Sequence, residues 1–129
     1  MKKKILNWLY VILWLGVIYW FSNQPHLKSE LTYAWDLVFR KIAHMAEYFV
    51  LTFLYYKALN NYKINFNKIL LYSLMLTILS AIMDEFHQSF IAGRTASAFD
   101  VLVDSVGAII LIMLMIKKRY ESLFNKQPL

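Results

Sequence analysis

Residues 99–116 read FDVLVDSVGAIILIMLMI, an apolar run whose two charged residues, Asp100 and Asp104, lie near its start. An α-helix rises about 1.5 Å per residue, so roughly 20 apolar residues cross the hydrocarbon core of a bilayer, which is about 30 Å thick. The run comes near that length and is followed at once by the basic residues 117–119. It therefore predicts a membrane-spanning helix.

Three further apolar segments precede this run, at residues 5–21, 42–59 and 69–88. The last of them reaches spanning length only by including Asp84, Glu85 and His87. Hydrophobic residues make up 60% of the chain and the mean hydropathy is +0.46, more than a soluble domain of this size needs. We predict an all-α integral membrane protein in which residues 1–129 form a single domain, a compact bundle of about four transmembrane helices.

The first apolar segment also has features of a signal peptide, because three lysines precede it. Its core is long and rich in aromatic residues, and it runs into Phe21 and Ser22 without a small-x-small cleavage site. We expect it to be retained as a span. The chain has no cysteine, which excludes disulfides, thiolate metal ligands and a cysteine nucleophile.

Basic residues sort by connection when the chain is threaded through four spans. Lys and Arg are enriched on the cytoplasmic side of membrane proteins. Ten of the fourteen in this chain lie at its two ends or around the connection between the second and third spans: Lys2, Lys3, Lys4, Lys57, Lys63, Lys68, Lys117, Lys118, Arg119 and Lys126. Both termini are therefore predicted to be cytoplasmic. The net charge of +6 does not indicate nucleic-acid binding, because these clusters flank spans and form no basic face on a soluble surface.

The remaining ionisable residues are predicted to lie at the outer face of the membrane. They include seven of the eight acidic residues and all three histidines. Ser29 suits an N-cap, and Leu31, Trp35 and Val38 recur at helical spacing before the second span. These residues predict a short outer helix that lies along the interface.

Ionisable side chains share helix faces at this outer side. Lys41, His44 and Glu47 are three residues apart, so they lie within an arc of about 120° on one helix. Asp100 and Asp104 are four residues apart and also share a face. A charge at the centre of a bilayer costs about 2.5–3.5 kcal/mol on insertion scales. A structural role can explain each of these residues alone better than all of them together, so the cluster as a whole predicts a functional site.

Acid–base chemistry is one use for such a cluster, because carboxylates near histidines can supply a general acid and a general base. We take Glu47, Asp84 and Asp104 as the main catalytic candidates, with His44 and Asp100 beside them. Binding of a divalent cation is a less favoured alternative, since His, Asp and Glu are ordinary ligands but no familiar metal motif is present. A Ser-His-Asp triad built on Ser22 or Ser97 is another, without a nucleophile elbow to support it.

Substrate binding is predicted for the polar and basic members of the cluster. Lys41 and Arg94 suit a phosphate or carboxylate, and Gln88 shares a helix face with Asp84. Structural roles compete with these functional ones. Lys41 can extend to the membrane boundary, His44 can pair with Glu47, Asp100 can cap the fourth helix, and Asp104 can pair with Arg94.

Four motifs in this chain resemble those of the VanZ-like family: FSNQP at 21–25, KxxHxxEY at 41–48, DExxQxFxxxR at 84–94 and DxxxDxxG at 100–107. The resemblance covers most of the chain from Phe21 onward. It adds Gln24 to the substrate-binding candidates and Glu85 to the catalytic candidates. It implies a small multi-pass bacterial membrane protein, and the namesake of the family is associated with low-level resistance to the glycopeptide antibiotic teicoplanin.

Two classes of function therefore remain open. In the first, the outer site acts on or binds a membrane lipid or a lipid-linked cell-wall precursor, or binds the glycopeptide itself. In the second, the chain is a non-catalytic binding or accessory module whose polar network holds the helices together. A transporter is less favoured, because no broken-helix pattern is visible. The oligomeric state stays open.

Overall fold

A computed structural model describes residues 1–23, 33–91 and 96–125 of the chain. These residues form four α-helices: α1 (Lys2–Ser22), α2 (Tyr33–Leu59), α3 (Phe66–Gln88) and α4 (Ala98–Phe124). Each predicted span lies within one helix, and no strand occurs in the described ranges. The prediction of an all-α fold is confirmed.

Two of the helices begin at side chains that cap them. The Asn65 side chain accepts a hydrogen bond from the backbone N–H of Lys68 at 2.9 Å, and the Ser97 hydroxyl accepts one from Phe99 N–H at 3.2 Å. The suggestion that Asp100 caps the fourth helix is therefore wrong. Ser97 takes that position, and Asp100 lies in the first turn of α4.

The segment that we predicted to lie along the interface is continuous with α2. Trp35 and Val38 lie in the first turns of α2 and are exposed, while Ser29 and Leu31 lie outside the described residues. The helix extends beyond the apolar run 42–59 because charged residues such as Arg40 interrupt the hydrophobicity but are good helix formers.

The helices alternate in direction, and α2 packs against the other three. Near the start of α1, the Asn7 side chain donates to the backbone carbonyl of Lys57 at the end of α2, at 3.1 Å. The hydroxyls of Thr52 and Thr77 lie 3.0 Å apart between α2 and α3. Helix α2 therefore forms the centre of the bundle, and the most deeply buried core side chains, such as Tyr48, are largely its own.

Polarity in the bundle is inverted relative to a soluble protein. Large apolar side chains such as Ile12, Met75 and Met113 are more than half exposed, whereas Ser73 and Thr77 are fully buried. In the hydrocarbon core, lipid replaces water as the solvent, so polar groups are satisfied between helices. Both buried hydroxyls donate to backbone carbonyls one turn earlier, at 2.8 and 2.9 Å.

Three of the four helices, α1, α3 and α4, are long and apolar enough to cross a membrane. Helix α2 is as long as α4, at 27 residues, but carries Arg40, Lys41 and Glu47 and does not meet the same hydropathy criterion. The chain is thus a membrane protein in which α2, the most polar of the four helices, packs against the other three.

Candidate functional site

The candidate site residues that the structure describes gather at one end of the bundle. This end is formed by the last turn of α1, the first half of α2, the last turns of α3 and the first turns of α4. We call it the polar end and define it by Ser22, Lys41, His44, Glu47, Asp84, Glu85, Gln88, Asp100 and Asp104. The predicted residues Gln24 and Arg94 lie outside the described residues.

Two contacts between a basic and an acidic side chain join α2 to α4. Lys41 Nζ contacts Asp100 Oδ1, and His44 Nδ1 lies 3.5 Å from Asp104 Oδ1. The Asp104 side chain is only 4% exposed, so its carboxyl group has little access to solvent and depends on His44 as its partner. Lys41 and His44 are thus both engaged with carboxylates of the neighbouring helix.

A glycine lets these two helices approach closely. Gly107 is one turn deeper than Asp104, and a Cβ atom at this position would overlap the backbone carbonyl of Met45 on α2. Small residues at helix interfaces in membranes permit backbone contact of this kind. The glycine therefore sets the separation at which His44 meets Asp104.

A second network joins α1 to α3. Asp84 Oδ2 accepts hydrogen bonds from Ser22 Oγ at 2.7 Å and from Gln88 Nε2 at 2.8 Å. Gln88 Nε2 also donates to Ser22 Oγ at 3.2 Å. Ser22 is fully buried, so this three-residue network fixes the end of α1 against α3.

Glu85 connects the end of α3 to the start of α4. Its Oε1 accepts a hydrogen bond from the backbone N–H of Ser97 at 2.6 Å. The Ser97 hydroxyl is used in the cap of α4, and the Ser22 hydroxyl donates to Asp84. Within the described ranges neither serine is therefore placed as the nucleophile of a Ser-His-Asp triad.

Glu47 differs from the other described carboxylates of the polar end. Its Oε2 atom is buried and has no hydrogen-bond partner among the residues that the structure describes. The predicted pairing of His44 with Glu47 is replaced by the contact between His44 and Asp104, although Glu47 still interacts electrostatically with His44, Asp84 and Asp104. Glu47 is thus a carboxylate held among charged neighbours without a fixed donor for that oxygen.

Two more buried polar atoms share this property, the Tyr48 hydroxyl and His87 Nε2. Neither residue was a predicted site residue. Tyr48 stands in the KxxHxxEY motif and is fully buried in α2, and the His87 ring packs against Tyr19 at 4.5 Å between ring centres. Membership of this motif is the sequence signal that could have identified Tyr48, because an apolar helical run alone does not separate a core tyrosine from a binding one.

The described His, Asp and Glu side chains include no group of three that is placed to hold a metal ion. They form pairs between helices instead, as Lys41 with Asp100 and His44 with Asp104.

The chain matches the sequence model of a known protein family. A sequence model of the family described as VanZ/LLP1 matches residues 7–119, a span that contains every candidate site residue. No curated protein and no solved structure matches the chain.

Proposed function

Because the chain belongs to the VanZ/LLP1 family, we propose that it is a multi-pass protein of the bacterial cell membrane whose polar end binds or acts on a lipid-linked component of the cell envelope. The observation that carries this proposal is Glu47, a half-buried carboxylate with one buried oxygen that no described residue satisfies. Charged groups within membrane proteins are costly to keep and commonly mark binding or catalytic sites.

The polar end combines charge with access to lipid. Glu47 is within electrostatic range of His44, Asp84 and Asp104, and exposed apolar side chains such as Phe86 and Phe99 lie beside these groups on α3 and α4. A ligand with a polar head and an apolar chain suits such surroundings, since its head reaches the charged groups while its chain stays in lipid. A lipid-linked precursor has this form.

The distribution of basic residues supports an outward orientation for the polar end. Arg119 lies over the ring of Phe66 at 4.4 Å, and Lys4 lies over the ring of Tyr62 at 4.6 Å. These contacts bring the basic ends of α1 and α4 together with the connection between α2 and α3. The positive-inside rule therefore favours a cytoplasmic position for this basic end and an outer position for the polar end.

Resistance to teicoplanin follows from this proposal if the bound component is the precursor that the antibiotic recognises. Expression of the chain in a sensitive Gram-positive host is expected to lower susceptibility to teicoplanin. Glu47→Gln, which keeps the shape of the side chain but removes its charge, is expected to abolish the protection. Glu121→Gln is the matched control, because Glu121 is an exposed carboxylate at the basic end of α4.

Membrane levels of all variants are matched before susceptibility is compared. Protection by wild type and Glu121→Gln but not by Glu47→Gln supports a working polar end. Equal protection by all three contradicts a role for Glu47. No protection even by wild type contradicts the resistance role.

A non-catalytic accessory module is the second candidate, and a specific observation favours it. Most of the catalytic candidates are already joined to another helix or to the start of α4, as Asp104 is to His44 and Asp84 is to Ser22. In that case the network holds the bundle together and recognises a partner at its surface. Equal protection by wild type and Glu47→Gln is the result that this candidate predicts.

A further inference from the structure

A cavity of about 400 Å³ lies between α1, α2 and α3. Its walls are mainly apolar and include Leu15, Ile18, Leu76, Leu79 and Met83. This volume is within the range of small-molecule sites in proteins, roughly 300–1,000 Å³. The cavity is therefore large enough to take part of a ligand and apolar enough to take a hydrocarbon chain.

The polar residues of the lining include Tyr48, Asp84 and His87, on α2 and α3, besides Tyr19, Tyr55 and Ser80. The hydroxyls of Tyr55 and Ser80 bond each other. The Tyr48 hydroxyl and His87 Nε2 are buried and make no close hydrogen bond to a described residue, although the Tyr48 hydroxyl lies near the Asp84 carboxyl group. Tyr48 itself is fully buried. Buried polar groups in proteins are nearly always hydrogen-bonded, so two such atoms beside one cavity indicate a ligand that supplies the partners.

The cavity is placed where lipid can reach it. Helices α1 and α3 contact each other little, since α1 packs mainly against α2 while α3 packs about equally against α2 and α4. The residues Tyr19, Leu79 and Met83, which line the cavity, are each more than half exposed on the lipid-facing surface. A chain from the surrounding bilayer can therefore enter sideways between α1 and α3.

We infer that this cavity binds one apolar chain of an uncharged, hydroxyl-bearing lipid, whose hydroxyl lies among Tyr48, Asp84 and His87. At about 30 Å³ for each water-sized group, 400 Å³ holds roughly a dozen such groups, the size of a single chain segment. A hydroxyl both donates and accepts, so one group can donate to the carboxylate of Asp84 and accept from Tyr48.

Charge excludes a phosphate headgroup from this position. The described lining contains the carboxylate of Asp84 but no lysine or arginine. A phosphate placed beside Asp84 would meet a like charge in surroundings of low dielectric constant, where repulsion is strong. The cavity therefore selects the alcohol form of a lipid over its phosphate ester.

This inference rests on the proposed function, because Asp84 belongs to both the cavity and the polar end. It goes further by giving the chemical class of the lipid in the cavity, an uncharged alcohol. It does not depend on Glu47, which is not part of the described lining. The two proposals can therefore fail separately.

The test uses the full chain in lipid nanodiscs with a long-chain alcohol that carries a diazirine at mid-chain. Illumination is expected to label residues of α1 and α3 that line the cavity. The unlabelled alcohol is expected to compete with the probe better than its phosphate monoester does. Labelling spread evenly over the exposed surface of the helices, or equal or better competition by the phosphate, would overturn the inference.

Two variants on α3 provide a matched pair for this labelling. Leu79→Trp adds bulk at the cavity, while Leu71→Trp makes the same change at a residue of almost equal exposure, 52% against 53%, that is not part of the described lining. Leu79→Trp is expected to reduce labelling strongly and Leu71→Trp to leave it unchanged. Equal labelling of both variants contradicts a chain in the cavity.

Tyr48→Phe tests the position of the hydroxyl. It is expected to weaken competition by the alcohol about fivefold, as for one lost hydrogen bond, and to leave the melting temperature of the ligand-free protein unchanged. Tyr55→Phe is the control. Tyr55 also lines the cavity, but its hydroxyl already bonds Ser80 Oγ at 2.9 Å, so the loss of this hydroxyl is expected to lower that temperature. Unchanged competition by Tyr48→Phe would overturn the assignment.

The labelling also separates the two proposals. Labelling in the cavity together with full teicoplanin protection by Glu47→Gln means that the cavity inference holds and the proposed function fails. Protection that depends on Glu47, without labelling in the cavity, means the reverse.

Discussion

Asp104 lies inside the bundle, where its side chain is 4% exposed and His44 is 3.5 Å away. Removing one member of a buried charged pair is strongly destabilising, because the other charge is left without a partner. Replacing both members with apolar residues is often much less costly. The energetic importance of this pair is therefore best seen by comparing single and double replacements.

We predict that His44→Ala lowers the free energy of unfolding in detergent micelles by about 3 kcal/mol, because the buried Asp104 carboxylate then lacks a partner. The double variant with Asp104→Leu is expected to recover a large part of this loss. Denaturant unfolding of the two single variants and the double variant gives the coupling between the sites. Losses that simply add would mean that the two side chains do not depend on each other.

The sequence predicted which ionisable residues share a helix face but not how they pair. Spacing on α2 placed Lys41, His44 and Glu47 together, and the structure joins the first two to different carboxylates of α4. Pairing between helices depends on their axial register, which the close contact at Gly107 helps to set. Helical periodicity within one segment contains no information about that register.

At the scale of elements, helix α2 shows what an apolar run can and cannot predict. The run 42–59 correctly predicted a helix, but α2 begins at Tyr33. The apolar run begins only after Arg40 and Lys41, whereas a helix extends as far as its backbone hydrogen bonds do. Neither residue prevents these hydrogen bonds. The helices α1, α3 and α4 combine the length and the hydropathy of a membrane span.

We predict that Gly107→Ala destabilises the bundle by about 2 kcal/mol, because the added methyl group meets the backbone of Met45 and forces α2 and α4 apart. Gly16→Ala is the matched control. No atom lies within 4 Å of a Cβ at Gly16, so this change should stabilise the helix by up to about 1 kcal/mol.

Thermal unfolding of both glycine variants in the same detergent measures the difference. Equal melting temperatures would contradict a close approach of α2 and α4 at Gly107. A loss in Gly107→Ala that Met45→Ala does not relieve would still agree with the structure, because the overlap is with the backbone and not with the Met45 side chain.

At the scale of the molecule, two chemically different ends are separated by apolar surface. The polar end holds described carboxylates from α2, α3 and α4, and the basic end brings Lys4 and Arg119 onto aromatic rings of the connection between α2 and α3 and the start of α3. Sequence analysis predicted this separation because connections alternate sides in a bundle of spans. It did not predict the cavity between α1 and α3, since voids depend on packing between distant segments.

This separation makes the orientation in the membrane testable, because the natural chain has no cysteine. Lys63 and Ala96 are exposed residues in the connections at the basic end and the polar end. We predict that an impermeant maleimide added to intact cells labels Ala96→Cys but not Lys63→Cys, and that both are labelled after the cells are opened. This result follows from the positive-inside rule, since Lys63 lies with Lys57 and Lys68 in or beside one short connection.

Labelling of Lys63→Cys alone in intact cells would mean that the protein has the opposite orientation. The polar end would then face cytoplasmic ligands. Labelling of both positions in intact cells would mean that α3, the helix between them, does not cross the membrane.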